Sequence, residues 1–314
     1  MLYLTYNIDI EKDGLGAQYQ RIIGIICVAE YYNFTYVHTP IKKMEHINDL
    51  TYLDKVENFF QICNNYSNIN NIEYDEIYEE SNPFIENLAQ YIKKDKNVLI
   101  KIFLPYNICE QNINIYKLGI NKIRNFIINH NLPFYNNNNK KIAIHLRRGD
   151  VTKHANNFRY TSITDIVNII NYLKKKYKNY FFYIFTQIDE NNKNEFEIFK
   201  NDSSIYIYAD KDLILTINHL INADILVLSK SSLSYISGLY NNNIVYYHNF
   251  WHKPLDNWNI IEDLKNDSIF DSENDIDSEN DIDSENVIDS ENYTIFNFNH
   301  IIILSLFVIL YFIK

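Results

Sequence analysis

The chain has 314 residues, enough for two modest hydrophobic cores and some appendages. Its formal charge of −11 is concentrated, with eleven acids and no Lys or Arg between Asp267 and Glu291. The remainder is close to neutral, which excludes the basic footprint of a nucleic-acid binder. Three cysteines, Cys27, Cys63 and Cys109, show no CxxC spacing; this argues against a zinc site or a disulfide framework and for free thiols.

The N-terminus reads "MLYLTYNIDIEKDG", a short apolar strand followed by charges. It has neither a basic leader nor a long apolar region, so no signal peptide is expected. The periodicity predicts a strand at 2–6, a helix over 15–32 and a strand at 34–37, then helical stretches near 50–63 and 113–130 in a weakly patterned middle. Between the first strand and the first helix lies "DGLGAQ" (13–18). Gly14 and Gly16 there allow backbone to approach a ligand, and the helix start behind them favours an anion; a tight structural turn is the competing reading. An Asn run at 136–139 marks a linker.

Beyond the linker, apolar and β-branched runs at 141–146, 180–185, 204–208, 225–228 and 243–247 alternate with helical intervals. Short buried strands separated by helices predict a parallel sheet. Ligands bind such sheets beyond the carboxyl ends of the strands, which directs attention to the loops there. The first is "KKIAIHLRRGDV" (140–151). In a period-2 element His145 and Arg147 face one side and Arg148 the other. One guanidinium can therefore meet a diphosphate with a bidentate fork while its neighbour turns inward. Asp150 is expected to brace Arg148 or to cap the next segment. The bland alternative is a solvated strand end.

A second loop, "LSKSSLSY" (228–235), ends a strand in Ser229, Ser231 and Ser232 before a helix, which suits a phosphate seat. Asp210-Lys211-Asp212 is a DxD after a strand; it is either a divalent-metal site on a diphosphate or a helix cap. Asn157, Arg159, Tyr160 and the segment "FWHKPLDNW" (250–258) are candidates for facing an acceptor or closing a lid.

Near the end, DSEN recurs at Asp271, Asp277, Asp283 and Asp289, a self-repelling acidic repeat expected to be a disordered linker over 266–292. The apolar run that follows, within 295–313, is expected to be a single C-terminal membrane anchor, with a helix folded back on the globule as the alternative.

Taken together, Gly14-Leu15-Gly16-Ala17-Gln18, His145-Leu146-Arg147-Arg148-Gly149-Asp150 and the 228–235 stretch resemble, in order, the three signatures of the fucosyltransferase superfamily that carries an H-x-R-R-G-D motif, the α-1,2-, α-1,6- and protein O-fucosyltransferases. The resemblance covers about residues 1–260, and Ala17 departs from the Asn usual in the first signature. It implies a GT-B-like α/β fold with two Rossmann-like domains facing a cleft: an N-terminal, acceptor-side domain over 1–135 and a sugar-nucleotide domain over 140–262. It further implies inverting transfer from a GDP-sugar, GDP-fucose above all, to a glycan or protein hydroxyl, with no cofactor and no metal. By the same resemblance Arg147 binds the β-phosphate, Arg148 holds the loop, His145 lies near guanine, Ser231 and Ser232 touch phosphates, and Asp212 is the candidate for reading guanine. The glutamate that serves as base in the α-1,6 branch is replaced by Ala155, leaving Asp150 and His154 as candidates. The expected setting is a membrane-tethered enzyme with its catalytic domain in the cytoplasm. A catalytically inactive carbohydrate-binding protein and a metal-dependent DxD transferase are the alternatives.

Overall fold

Unbroken apolar runs become strands buried on both faces, and here they do so twice. The computed structural model describes residues 1–8, 13–45, 49–127 and 131–266; the DSEN repeat and the apolar run at 295–313 lie outside them. In the first half, β1 (Leu2–Tyr6), α1 (Leu15–Tyr32), β2 (Thr35–Tyr36), α2 (Leu50–Phe60), α3 (Ile62–Asn65), β3 (Glu76–Glu80), α4 (Ile85–Ala89), β4 (Val98–Ile102), α5 (Tyr106–Gln111) and α6 (Asn114–Ile123) follow in order. Their strands form a parallel sheet in the order β2-β1-β4-β3.

The second half contributes β5 (Lys140–His145), α7 (Ile163–Lys176), β6 (Tyr180–Thr186), β7 (Ile205–Ala209), α8 (Leu213–Ile221), β8 (Ile225–Val227), α9 (Ser232–Tyr240), β9 (Ile244–Tyr247) and β10 (Asn259–Ile260). This sheet is also parallel, ordered β10-β9-β8-β5-β6-β7. Counted from β5, that is the 3-2-1-4-5-6 order of a doubly wound nucleotide-binding sheet. The order reverses between β5 and β8, so the crevice belongs beyond His145 and Val227. The α/β, Rossmann-like architecture expected from the sequence is present in both halves.

Three strands are not marked by hydropathy, the shortest being the two-residue β10. β3 has the acidic sequence EIYEE, an edge strand that hydropathy cannot find; Lys93 and Lys96 both pair with Glu76 and hold it. β4 (VLIKI) is a short buried run that an otherwise polar middle conceals. The helix expected over 50–63 is broken at Gln61, which adopts the left-handed conformation (φ 56°) between α2 and α3. The one over 113–130 stops at Ile123 and continues as a 3₁₀ turn through Phe126.

The halves are joined by apolar burial. α1 is solvent-free along most of its length, and one core runs from β1 and α1 through α6 into α9, Tyr235 and Trp258. A second core lies on the other face of the larger sheet, under α7. Arg124 adds a polar tie across the join: its Nε donates to the Leu239 carbonyl (2.9 Å) and its Nη2 to that of Asn241 (3.0 Å), where α9 ends. Among the described residues no helix is long and apolar enough to cross a membrane.

The closest approach is made by Gly16, in the first turn of α1. A Cβ there would lie 2.3 Å from the backbone nitrogen of Leu233 and 2.7 Å from its Cα, in the first turn of α9. Two helix N-termini from different halves thus meet at one point, and backbone cannot yield as a flexible side chain would. Gly14 has open space at the same position, so its side of the loop is free for a ligand. Gly16→Ala is expected to cost about 1–3 kcal/mol, the range for overpacking, and to lower the thermal midpoint by several degrees, whereas Gly14→Ala changes it little. Equal midpoints for the two variants would contradict the helix-to-helix contact.

Candidate active site

Each residue of His145-Leu146-Arg147-Arg148-Gly149-Asp150 has a separate physical task, and β5 assigns them. His145, its last residue, is buried; its Nδ1 lies 2.5 Å from Ser234 Oγ and 3.1 Å from Ser229 Oγ. The two hydroxyls are 2.9 Å apart, and Ser234 Oγ also accepts from the Ser229 backbone N–H (3.0 Å). His145 therefore pins the loop after β8 to the end of β5. Burial first, and the charge of Arg147 second, push its pKa down to about 3, so it is a neutral tie at physiological pH.

Arg148 lies on the opposite side from Arg147, as the alternation predicted, and it is the one that turns inward, only 2% exposed. Its Nε and Nη2 donate to Glu195 Oε2 (3.1 and 2.9 Å), its Nη1 to the Arg147 carbonyl (2.9 Å) and its Nη2 also to the Thr161 carbonyl (2.9 Å). The Tyr160 ring covers the guanidinium at 4.4 Å. The expected brace from Asp150 is corrected here: the partner is Glu195, some distance along the chain. Asp150 instead pairs with Arg147, Oδ2 to Nη2 at 2.7 Å. Between them Gly149 takes φ +82°, a backbone region that side chains avoid.

Arg147 is left facing the crevice between β5 and β8. Its Nη1 makes one long contact, 3.4 Å, to Ser231 Oγ. Its Nε is buried and has no hydrogen-bond partner. A buried donor without an acceptor costs about 1–3 kcal/mol, and an anion's oxygen would remove that cost. Ser231 caps α9, accepting from the Leu233 N–H (3.2 Å). Ser232 opens the helix half-buried, and its hydroxyl has no partner among the described residues. The helix start adds partial positive charge at the same place.

The first-half loop reaches this point through Gly16. Gln18 shapes the loop, its Nε2 donating to the carbonyls of Asp13 (2.7 Å) and Lys43 (2.8 Å). Asp13 in turn pairs with the buried Arg21 at 2.6 Å. Arg159 lies nearby: burial and the charge of Arg147 lower its pKa, while Asp150, Asp13 and Glu45 act in the opposite sense.

Not every candidate joins the group. Asp212 is the N-cap of α8, accepting from Leu215 N–H (2.9 Å), while its other oxygen accepts from the Tyr52 hydroxyl of α2 (2.9 Å). Asp210 adopts φ 52° and accepts from the Ile188 N–H (3.4 Å). Both DxD carboxylates therefore have structural employment, and among the described residues no group of three or more metal-ligating side chains forms. His154 sits on an exposed loop whose backbone is folded onto Thr152 Oγ1. Glu195, Ser234 and Thr161 were missed. Nothing in the stretch "NNKNEFEIF" marks Glu195, whose role exists only once α7 and β6 bring it back to the β5 loop.

Among known proteins, no family model matches this chain and no curated protein matches it. Solved structures do. POFUT1 in complex with GDP-fucose aligns over 82% of this chain and 97% of that one, at 11% identity and a TM-score of 0.45. The E. coli heptosyltransferase WaaC with ADP covers 83% and 92%, at 9% identity and 0.43. The S. aureus MnaA–UDP co-structure covers 78% of each, at 10% identity and 0.37. With every one of these scores below 0.5, the functional reading rests on the residues themselves.

Two expectations follow from the arginine pair and the histidine. Removing one partner of a buried ion pair costs about 3–5 kcal/mol, less where the survivor is partly solvated. Glu195 is 27% exposed, so Arg148→Ala should fall at or below the low end of that range and show as a loss of thermal stability. A variant as stable as the parent would remove Arg148 from its structural role. For His145, the folded pKa of about 3 lies below the ordinary 6.5. The unfolded chain then binds the extra proton between those values, so this group lowers stability as the pH falls from 6.5 towards 3, by about 1.4 kcal/mol per pH unit. Urea unfolding at pH 6.5, 5.5 and 4.5 should show a shallower pH slope for His145→Gln than for the parent.

Proposed function

We propose that this chain is an inverting glycosyltransferase that moves the sugar of a GDP-sugar, GDP-fucose in the first instance, onto a hydroxyl of a glycan or glycoprotein, without a metal in the step. One observation carries the reading: Arg147 stands at the switch point of a doubly wound sheet, with a buried Nε that lacks a partner, beside the capped N-terminus of α9. That is a seat for a diphosphate.

In the transfer, the acceptor oxygen attacks the anomeric carbon from the face opposite the leaving group. The bond from that carbon to the β-phosphate oxygen breaks, and its electron pair stays on the departing GDP. Stabilisation is needed where that charge accumulates. The Nε and Nη1 of Arg147, the Ser232 hydroxyl and the α9 N-terminus supply it, and none of them has to reorganise at the moment of reaction. Asp150 holds the remaining edge of the Arg147 fork, which orients it. The acceptor's proton must leave as the new bond forms. Asp150, paired with Arg147, and His154, on the exposed loop that follows, are the two candidates for the base. His145 and Arg148 position the machinery and touch no substrate. Asp212, occupied at both oxygens, is given no part in reading guanine. In the same reading, the apolar 295–313 segment tethers the enzyme to a membrane.

The test uses full-length protein with GDP-fucose, following GDP release with and without EDTA. Release should survive chelation, and Arg147→Ala should lower kcat/KM by about 10²–10³-fold, as for loss of one preorganised electrostatic donor, with thermal stability unchanged. Release abolished by EDTA, or an Arg147→Ala variant of normal kcat/KM, would contradict the assignment.

A further inference from the structure

Beside the arginine mouth, two loops at the carboxyl-terminal edge of the larger sheet leave aromatic rings uncovered. In the first, Asn156 takes a left-handed conformation (φ 52°) and starts a 3₁₀ turn at Asn157–Arg159. This presents Phe158, 55% exposed. The second follows β9 and carries Phe250 and Trp251, the latter 47% exposed. The three rings form one surface. Phe158 and Phe250 stack with centroids 6.3 Å apart, Phe158 meets Trp251 edge-on at 5.7 Å, and Phe250 meets Trp251 at 4.3 Å.

Trp251 is not on a loose strand of chain. His252 Nδ1 lies 2.8 Å from Glu110 Oε1, and Lys253 Nζ donates to the Glu110 carbonyl (2.9 Å). The Tyr247 and Tyr235 hydroxyls donate to the carbonyls of His252 and Lys253 (2.7 and 2.8 Å). The exposed indole is therefore held in place on both sides of the join between the halves.

Arg159 completes the surface. Its guanidinium lies 4.4 Å over the Trp251 ring and 5.5 Å from that of Phe158. It has ring contacts but no hydrogen bond or ion pair among the described residues, and its Nε is buried without a partner. Singly exposed aromatic residues are ordinary; a contiguous group sharing an unsatisfied donor marks a ligand site.

We propose that Phe158, Phe250, Trp251 and Arg159 form the acceptor subsite, and that it takes a neutral pyranose ring of a glycan. This rests on the transferase reading above, which it deepens by naming the acceptor class. The ring's C–H face covers the aromatic surface, and its hydroxyl rim supplies the acceptors that Arg159 lacks. Arg147 lowers the pKa of Arg159 while the carboxylates of Asp150, Asp13 and Glu45 raise it, so charges of both signs surround the guanidinium and a neutral ring disturbs neither. A purely apolar peptide segment would cover the rings and leave the guanidinium unsatisfied.

The test applies full-length protein to a printed array of neutral oligosaccharides, titrates the best of them by intrinsic fluorescence, and measures GDP binding by calorimetry on the same preparations. Trp258 is buried and Trp251 is exposed, so the saccharide should blue-shift the emission of the parent. Trp251→Ala and Arg159→Gln should each weaken saccharide binding about tenfold or more, the usual scale for losing a central aromatic or Arg contact, while GDP binding holds. No saccharide bound by the parent, or undiminished binding by both variants, overturns the proposal. So does a loss of GDP affinity in Trp251→Ala with saccharide binding intact, which would make the surface a seat for the base. Failure of the parent to bind GDP counts against the transferase reading alone, since the array result is read separately.

Discussion

A fully buried guanidinium must find acceptors for its N–H groups or move to where water can supply them. Arg148 finds them in Glu195, in the Thr161 carbonyl and in the carbonyl of its own neighbour, Arg147. That last bond matters most for the site, because it fixes the backbone from which Arg147 projects. With Arg148 drawn in and Gly149 turned through positive φ, Arg147 is directed to the crevice and Asp150 comes back to meet it. Adjacent residues of one type thus have opposite environments, and the geometry of the exposed one depends on the burial of the other.

The second constraint is the meeting of helix starts. Gly16 lets α1 touch the backbone of α9, while the apolar length of α1 and the Arg124 cap at the far end of α9 hold the halves together. Gly16, the second glycine of the first loop, serves this join. Its partner Gly14 remains open. Positive potential from the start of α9 then falls where Arg147 stands, so packing between the halves and electrostatics of the crevice come from the same contact.

Much of this was legible in the residues. The buried runs from β5 onward announced a parallel sheet, and alternation put Arg147 and Arg148 on opposite sides, while only the family resemblance said which of them turns inward. Ser229, Ser231 and Ser232 exceeded what one helix cap needs; Ser231 caps, Ser229 joins the unforeseen Ser234 in binding His145, and Ser232 opens the helix. The tie that His145 makes with Ser229 and Ser234 was not foreseen, since the expectation concerned only its nearness to guanine. A tie of that kind depends on strand order, which hydropathy does not report. Glu195 was invisible for the same reason, since a carboxylate in a polar stretch acquires a partner only through topology. β3 was hidden because an edge strand of glutamates looks like a loop until two lysines neutralise it.

The central claim is that a permanent cation at the tip of β5, and not a metal ion, meets the diphosphate. A crystal structure of the full chain with GDP tests it most directly. The account predicts that the Nε and Nη1 of Arg147 lie within hydrogen-bond distance of the β-phosphate oxygens, with those oxygens also against the first turn of α9. A guanidinium turned away from the nucleotide, or a divalent cation bridging the phosphates on Asp210 or Asp212, would contradict it.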